Sequence, residues 1–200
     1  MNLELYTADQ SRGFMVEWLL KELDVPYKRH EIDLFAGEHK SSEYLAIHPQ
    51  GAVPALLVDG EPIIESLGIC LFLADAFSER KLAPAIGTLE RARYCQWMVY
   101  ATATIEPKLS AAFVRSLGQS PAERKQTATP DEQQAMHEVL APLLPALNNE
   151  LFIARDFSAA DVVIGSELHW AEQVGLLETS PEEIRAYLDR LRTRPAFPVL

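Results

Sequence analysis

Cysteine is scarce in this chain, and its scarcity excludes several chemistries at once. Only Cys70 and Cys95 occur among 200 residues, too few for a disulfide scaffold, and no C-x-x-C pair offers dithiol redox chemistry. Cys70 lies in an apolar run and reads as a small core residue. The five histidines lack the spacing of metal ligands, so no metal site is expected. Basic charge is also short: 18 Lys and Arg against 29 Asp and Glu leave a formal net charge of −11. That balance argues against nucleic acid and against an anionic membrane surface as partners. No run approaches the roughly 20 apolar residues of a membrane span, and Met1-Asn2-Leu3-Glu4 lacks the start of a secretion signal. A metal-free cytoplasmic protein is the expectation.

What is present is material for a core. Hydrophobic residues make up 48% and charged residues 24%, which excludes disorder along the whole chain. The length suits one large domain or two small ones.

Local patterning divides the chain into two halves. Leu3 to Tyr6 reads as a strand, Phe14 to Leu23 as a helix with apolar residues at helical spacing before Pro26, and Tyr27 to Leu34 as a second strand. That order is a β-α-β unit, which gives a parallel crossover. Phe35 to Ser42 reads as a loop and Ser42 to Ile47 as a short helix stopped near Pro49. Two strands around Asp59-Gly60 form a hairpin, and Leu67 to Phe77 is another helix. Residues 1–77 are thus an α/β domain and 78–88, with Pro84 and Gly87, a linker. The rest, 89–200, reads as all-helical. A long helix from Leu89 to Leu117 is expected to bend at Pro107. Pro121 to Pro130 reads as a polar loop, and Asp131 to Leu151 as a helix interrupted by Pro142 and Pro145. Ser158-Ala159-Ala160-Asp161 opens a third helix with a capping-box pattern, and Pro181 to Leu191 a fourth ending in Arg190, Arg192 and Arg194.

The densest signal runs from Gln50 to Ser66. Pro54 stands directly before an apolar strand, where a missing amide donor fits only at the strand's first residue. The second strand ends in Glu65-Ser66 as the pattern turns helical. A hydroxyl there can cap the helix, and the open N–H groups of a helix start attract a carboxylate. Together with Ser11-Arg12, Trp18 to Leu23, Glu38 to Leu45, His48-Pro49-Gln50-Gly51, Glu90 to Trp97 and Phe157 to Asp161, this order resembles the glutathione S-transferase family over essentially the whole chain.

The resemblance implies a thioredoxin-like N-terminal domain followed by a helical-bundle C-terminal domain. It also implies a glutathione transferase, with glutathione as co-substrate and no metal. Pro54 would be cis, and Val53 N–H and C=O would pair with the cysteinyl backbone of glutathione. Glu65 would face its ammonium, and Ser66 its γ-glutamyl carboxylate. Candidates for the glycine carboxylate are His39, Lys40 and Gln50, with Gln50 the steadier one beside the Val53-Pro54 turn. The thiol activator would be Ser11, with Thr7 a lesser alternative; Ser11 also fits a plain N-cap. Bacterial beta-class members carry Cys at this place and Asn and His on the long helix. Here no Cys is present and Val99 and Glu106 occupy the helix positions, so that chemistry does not carry over.

A small hydrophobic electrophile would lie between the domains against the long helix, with Tyr100 and Thr104 as its polar-ended contacts and Trp97 in the core. A glutathione-dependent isomerase, peroxidase or dehalogenase remains an alternative, as does a non-catalytic binding module. A homodimer is expected, using the helix from Leu67 to Phe77 and the face from Arg91 to Trp97.

Overall fold

The structure, a computed structural model, describes residues 1–148 and 150–198. It divides into two compact units, 1–82 together with the residues from Ala196 onward, and 83–195. The division falls inside the 78–88 stretch.

The first unit is built on a four-stranded sheet in the order β2-β1-β3-β4. Strand β1 (Leu3–Thr7) buries Leu3, Leu5 and Thr7 on one face and leaves Glu4 and Tyr6 half-buried on the other. Its parallel partner β2 (Lys28–Glu31) follows helix α1 (Gly13–Leu23), as a β-α-β unit requires. Helix α1 buries Phe14, Met15, Val16, Trp18, Leu19, Leu20 and Leu23, and it stops where Asp24 takes a left-handed conformation. Strand β2 is shorter than the Tyr27–Leu34 expected from alternation. The Asp33 carboxylate accepts the N–H groups of Phe35 and Ala36, which turns the chain out of the sheet.

Helix α2 (Ser42–Leu45) is one turn long, and a 3-10 turn over Glu38–Lys40 occupies part of the expected loop. The antiparallel hairpin of β3 (Ala55–Val58) and β4 (Glu61–Ile64) closes through Asp59 and Gly60, both at positive φ, as the Asp-Gly pair predicts. Helix α3 (Ser66–Ala76) then packs on α1, with Cys70 fully buried as expected. Phe197, from the end of the chain, joins this unit by edge contacts to Phe14 and Trp18.

The second unit is helical. Helix α4 (Leu89–Tyr100) and helix α5 (Glu106–Ser116) are separated by a π-helical turn over Ala101–Ile105. In place of the expected bend at Pro107, the interruption is this π-helical turn, which ends two residues before the proline. Pro107 has no N–H to give, and its ring crowds the carbonyl four residues back, which the wider turn relieves. Residues read as a polar loop contain helix α6 (Pro121–Arg124), started by a capping box between Ser120 and Glu123. Helix α7 (Pro130–Leu140) is capped in the same way by Thr129 and Glu132. The helix expected to reach Leu151 ends sooner: α8 (Leu143–Leu147) is its last helical piece, and Asn149 lies outside the described residues.

Helix α9 (Ala159–Gln173) forms the centre of this unit, with every residue from Ala159 to Leu168 buried. Its Asp161 is the N3 carboxylate of the capping box read from the sequence. It accepts the N–H groups of Ile153 and Ser158, the Ser158 hydroxyl and, at 2.7 Å, the Tyr187 hydroxyl. Burial pushes this carboxyl up from its ordinary value against the pull of those donors. Helix α10 (Glu182–Arg192) starts in acids and ends in Arg190 and Arg192, the charge order its dipole favours.

Candidate functional site

Strand register gathers the expected site residues of the first unit at one end of the sheet. Tyr6 lies opposite Ala55, and Ala55 opposite Ile64. Thr7 ends β1, Val53-Pro54 precede β3 and Glu65-Ser66 follow β4, so all three stand at the same end of the sheet. The Val53-Pro54 peptide is cis, and β3 starts at Ala55, so the proline sits just outside the ladder, where it removes no donor.

Glu65 is the most unusual backbone in this group. Its φ of 70° and ψ of 109° are sterically poor for any residue with a Cβ, and its side chain is exposed. This residue is the N-cap of α3. Ser66, only 8% exposed, is the first residue of that helix. No side chain caps α3, so the partial positive charge of its first turn is open to an anion.

Ser11 lies between β1 and α1. Its hydroxyl donates to the Ala8 carbonyl at 2.6 Å and accepts the Gly13 N–H at 3.1 Å. Ser11 stands one residue before the N-cap, Arg12, which makes no side-chain cap bond. These contacts therefore form a local turn at the start of α1 in place of the plain N-cap, and a role toward a thiol would require the hydroxyl hydrogen to leave Ala8. Thr7, the lesser alternative, is fully buried behind Gly13.

The segment before Pro54 is held by side chains that the sequence reading did not connect to it. Lys40 Nζ donates to the Gln50 carbonyl at 2.9 Å and to the Gly51 carbonyl at 3.4 Å. The Tyr44 hydroxyl donates to the Ala52 carbonyl at 2.6 Å, and burial pushes its pKa up to about 12, so it stays a donor. Gly51 has a φ of 60°, and a Cβ there would lie 2.3 Å from the His39 carbonyl oxygen, so only glycine fits. His39 is half-buried and Gln50 exposed. A lone tyrosine in a one-turn helix beside His-Pro-Gln-Gly was the available signal for this contact.

Cys70 offers no substitute nucleophile: burial pushes its thiol up to about 12. Tyr100 and Thr104 lie in the helical unit. The Tyr100 hydroxyl donates to the Val139 carbonyl at 2.8 Å, and Thr104 is half-buried in the π-helical turn. Trp97 is buried, as expected, with its ring edge-on to Tyr100. Among the described residues, no group of His, Cys, Asp or Glu could hold a metal ion, and no helix is long and apolar enough to cross a membrane.

A thioredoxin-like sheet carrying a cis-proline beside an uncapped helix start, followed by a helical unit, defines the class of protein. Comparison with known proteins gives the family. The family model for the glutathione S-transferase N-terminal domain matches residues 1–75. The chain is 30% identical over 199 residues to maleylacetoacetate isomerase of Pseudomonas aeruginosa, covering 96% of this chain and 91% of that one. It is 28% identical over 181 residues to glutathione S-transferase GstA of Escherichia coli O157:H7, covering 90% and 83%. The solved glutathione transferase from Methylococcus capsulatus superposes with a TM-score of 0.79 at 28% identity, covering 98% and 95%. The chain belongs to the glutathione S-transferase family.

Proposed function

We propose that this protein binds glutathione at the Gln50–Ser66 end of its sheet and transfers the thiolate to a small hydrophobic electrophile. The observation that carries this reading is the strained, exposed Glu65 next to the uncapped start of α3, at the same end of the hairpin as the cis Val53-Pro54 peptide. The free amino-acid end of the γ-glutamyl group needs a carboxylate for its ammonium and amide donors for its carboxylate. Glu65 supplies the first, and Ser66 with the α3 start the second. Val53 N–H and C=O pair with the cysteinyl backbone, which sets the sulfur on the side of Ser11. His39 and Gln50 are the candidates at the glycine end. Ser11 would donate to the sulfur and lower its pKa, raising the thiolate fraction near neutral pH. Tyr100 and Thr104 are the candidate contacts of the electrophile. The active species is a homodimer, using α3 and the Arg91–Trp97 face of α4, and light scattering at micromolar concentration reads its mass directly. The setting that goes with this reading is the cytoplasm.

A glutathione-dependent isomerase is the second reading, favoured by the identity to maleylacetoacetate isomerase. Calorimetric titration with glutathione tests the binding site shared by both. Thiol consumption separates them: a transferase uses one glutathione per activated aryl halide converted, whereas an isomerase returns glutathione unchanged. Absence of measurable binding at millimolar glutathione would leave the fold without either activity.

A further inference from the structure

One guanidinium ties three parts of the first unit together. Arg29 on β2 stands in register with Leu5 of β1. Its Nε donates to Glu17 of α1 at 3.0 Å, its Nη1 to Glu31 of β2 at 3.0 Å and its Nη2 to Asp9 at 2.8 Å. The arms to Glu17 and Glu31 join a helix to a strand. The third arm reaches the loop between β1 and α1, where Asp9 stands two residues before Ser11 with its side chain 74% exposed. An ion pair to so exposed a carboxylate adds little to folding. What it does hold is the loop. Gln10 has a φ of 55°, and the Ser11 hydroxyl closes a turn on Ala8 and Gly13. A hydroxyl that swings from the Ala8 carbonyl to a thiol keeps its place only while the backbone beneath it stays still.

We infer that Arg29 and Asp9 are positioning residues whose ion pair holds the β1–α1 loop so that the Ser11 hydroxyl meets the sulfur of the thiol substrate. The inference rests on the Ser11 reading above and adds to it the groups that keep Ser11 in place. Positioning here has the opposite sign to plain electrostatics. Asp9→Ala removes a negative charge from the Ser11 loop, which by charge alone favours the thiolate and lowers the thiol pKa. Release of the loop acts the other way: the Ser11 hydrogen bond to the sulfur is made less often, and the pKa rises.

The test uses the full chain with glutathione. The pKa of the bound thiol is read from the ultraviolet absorbance of its thiolate, and kcat and KM are measured with an activated aryl halide. Asp9→Ala and Arg29→Met should each raise the bound-thiol pKa and lower kcat roughly 10-fold, the scale of a displaced catalytic group. KM for glutathione should stay within about twofold of wild type. The double variant should lose no more than Arg29→Met alone. Asp9→Asn, whose amide oxygen still accepts from Arg29, should recover most of the loss. Glu31→Ala removes an arm that does not reach the loop and should keep the wild-type pKa. The urea midpoint should fall in Arg29→Met and stay unchanged in Asp9→Ala, so the effect of Asp9→Ala is not one of folding. A lowered or unmoved pKa in Asp9→Ala would overturn the inference, as would an equal rise in Glu31→Ala. If Ser11→Ala moves the pKa and Asp9→Ala does not, the inference alone falls. If Ser11→Ala leaves the pKa unmoved, or wild-type protein binds no glutathione, the reading beneath it falls as well.

Discussion

Gly13 and Thr7 are in direct contact: a Cβ added to Gly13 would lie 1.7 Å from Thr7 Oγ1 and 2.8 Å from Thr7 Cβ. The first turn of α1 therefore rests on the end of β1 with no room for a side chain. The same glycine donates its N–H to the Ser11 hydroxyl. Gly13→Ala would gain up to about 1 kcal/mol of helix propensity, yet it must displace buried Thr7, and overpacking of this kind costs about 1–3 kcal/mol. A lower urea midpoint is expected, partly recovered in a Thr7→Ala background. An unchanged midpoint in the single variant would show that α1 can shift at no cost.

Glu65 couples strain to binding. Glycine tolerates its backbone conformation and alanine does not. Glu65→Gly is therefore expected to stabilise the fold by roughly 1 kcal/mol or more, while Glu65→Ala is not. Both should lose glutathione affinity, because a charge-assisted contact is worth about 1.5–3 kcal/mol. Ser66→Ala should weaken binding by a similar amount with the fold retained. Urea unfolding and calorimetry on the same preparations separate the two effects, and full affinity in both alanine variants would remove this end of the site.

Ser11→Ala should act on the thiol more than on ground-state binding. The expected outcome is a raised apparent pKa in the pH–rate profile of conjugation, with glutathione affinity nearly unchanged. Losing the bond to the Gly13 N–H should also cost about 1 kcal/mol of stability. If rate and pKa stay as they were, Ser11 is a turn residue alone and the thiolate relies on backbone donors.

How far the sequence discloses this protein depends on the range of each interaction. The β-α-β start, the Asp59-Gly60 hairpin and the Ser158–Asp161 box are written in residues a few positions apart, and the structure has them where the pattern places them. The Ser120-Pro121-Ala122-Glu123 cap is equally local, but its polar composition reads as loop. The π-helical turn before Pro107 depends on how two helical segments accommodate a ring, and periodicity near 3.6 does not register it. The hold of Lys40 and Tyr44 on residues 50–52 spans 8–11 positions across a turn, a distance at which residue type alone does not pair partners. Pro54, Glu65 and Ser66 stand out in the sequence because they lie at strand ends, and the roles proposed for them come from the family resemblance.

Asp161 should be a focus of stability for the helical unit. Its carboxylate serves the buried N–H groups of Ile153 and Ser158 as well as two hydroxyls. Asp161→Ala leaves those buried donors unsatisfied, and each such group costs about 1–3 kcal/mol. Tyr187→Phe removes one donor and keeps the packing, so about 1 kcal/mol is expected. Chemical denaturation with far-UV circular dichroism ranks the two variants, and an Asp161→Ala loss no larger than that of Tyr187→Phe would remove Asp161 from this role.

His169 gives the helical unit a pH dependence of defined sign. Burial, reinforced by the positive charge of Arg192, lowers its pKa from 6.5 to about 4, while Glu172 pushes weakly the other way. Arg192 donates to His169 Nδ1 at 3.2 Å and pairs with Glu172, and the Gln173 amide stands 2.9 Å from Nε2. The folded ring is therefore neutral where the unfolded ring, near its ordinary value, already binds a proton. Between about pH 6.5 and 4 the unfolded chain holds more protons, so stability must fall as pH falls through that window. The slope can reach about 1.4 kcal/mol per pH unit. Glu172, held below its ordinary 4.5 by Arg192 although burial opposes this, titrates beneath most of that range and leaves the upper part to His169. Urea unfolding at pH 7, 6 and 5 should show the wild type losing stability faster than His169→Gln, whose side chain carries no proton in this range. Parallel losses in the two proteins would mean that the imidazole reaches water or Glu172 easily enough to charge within the fold, and the neutral ring against Arg192 would have to be given up.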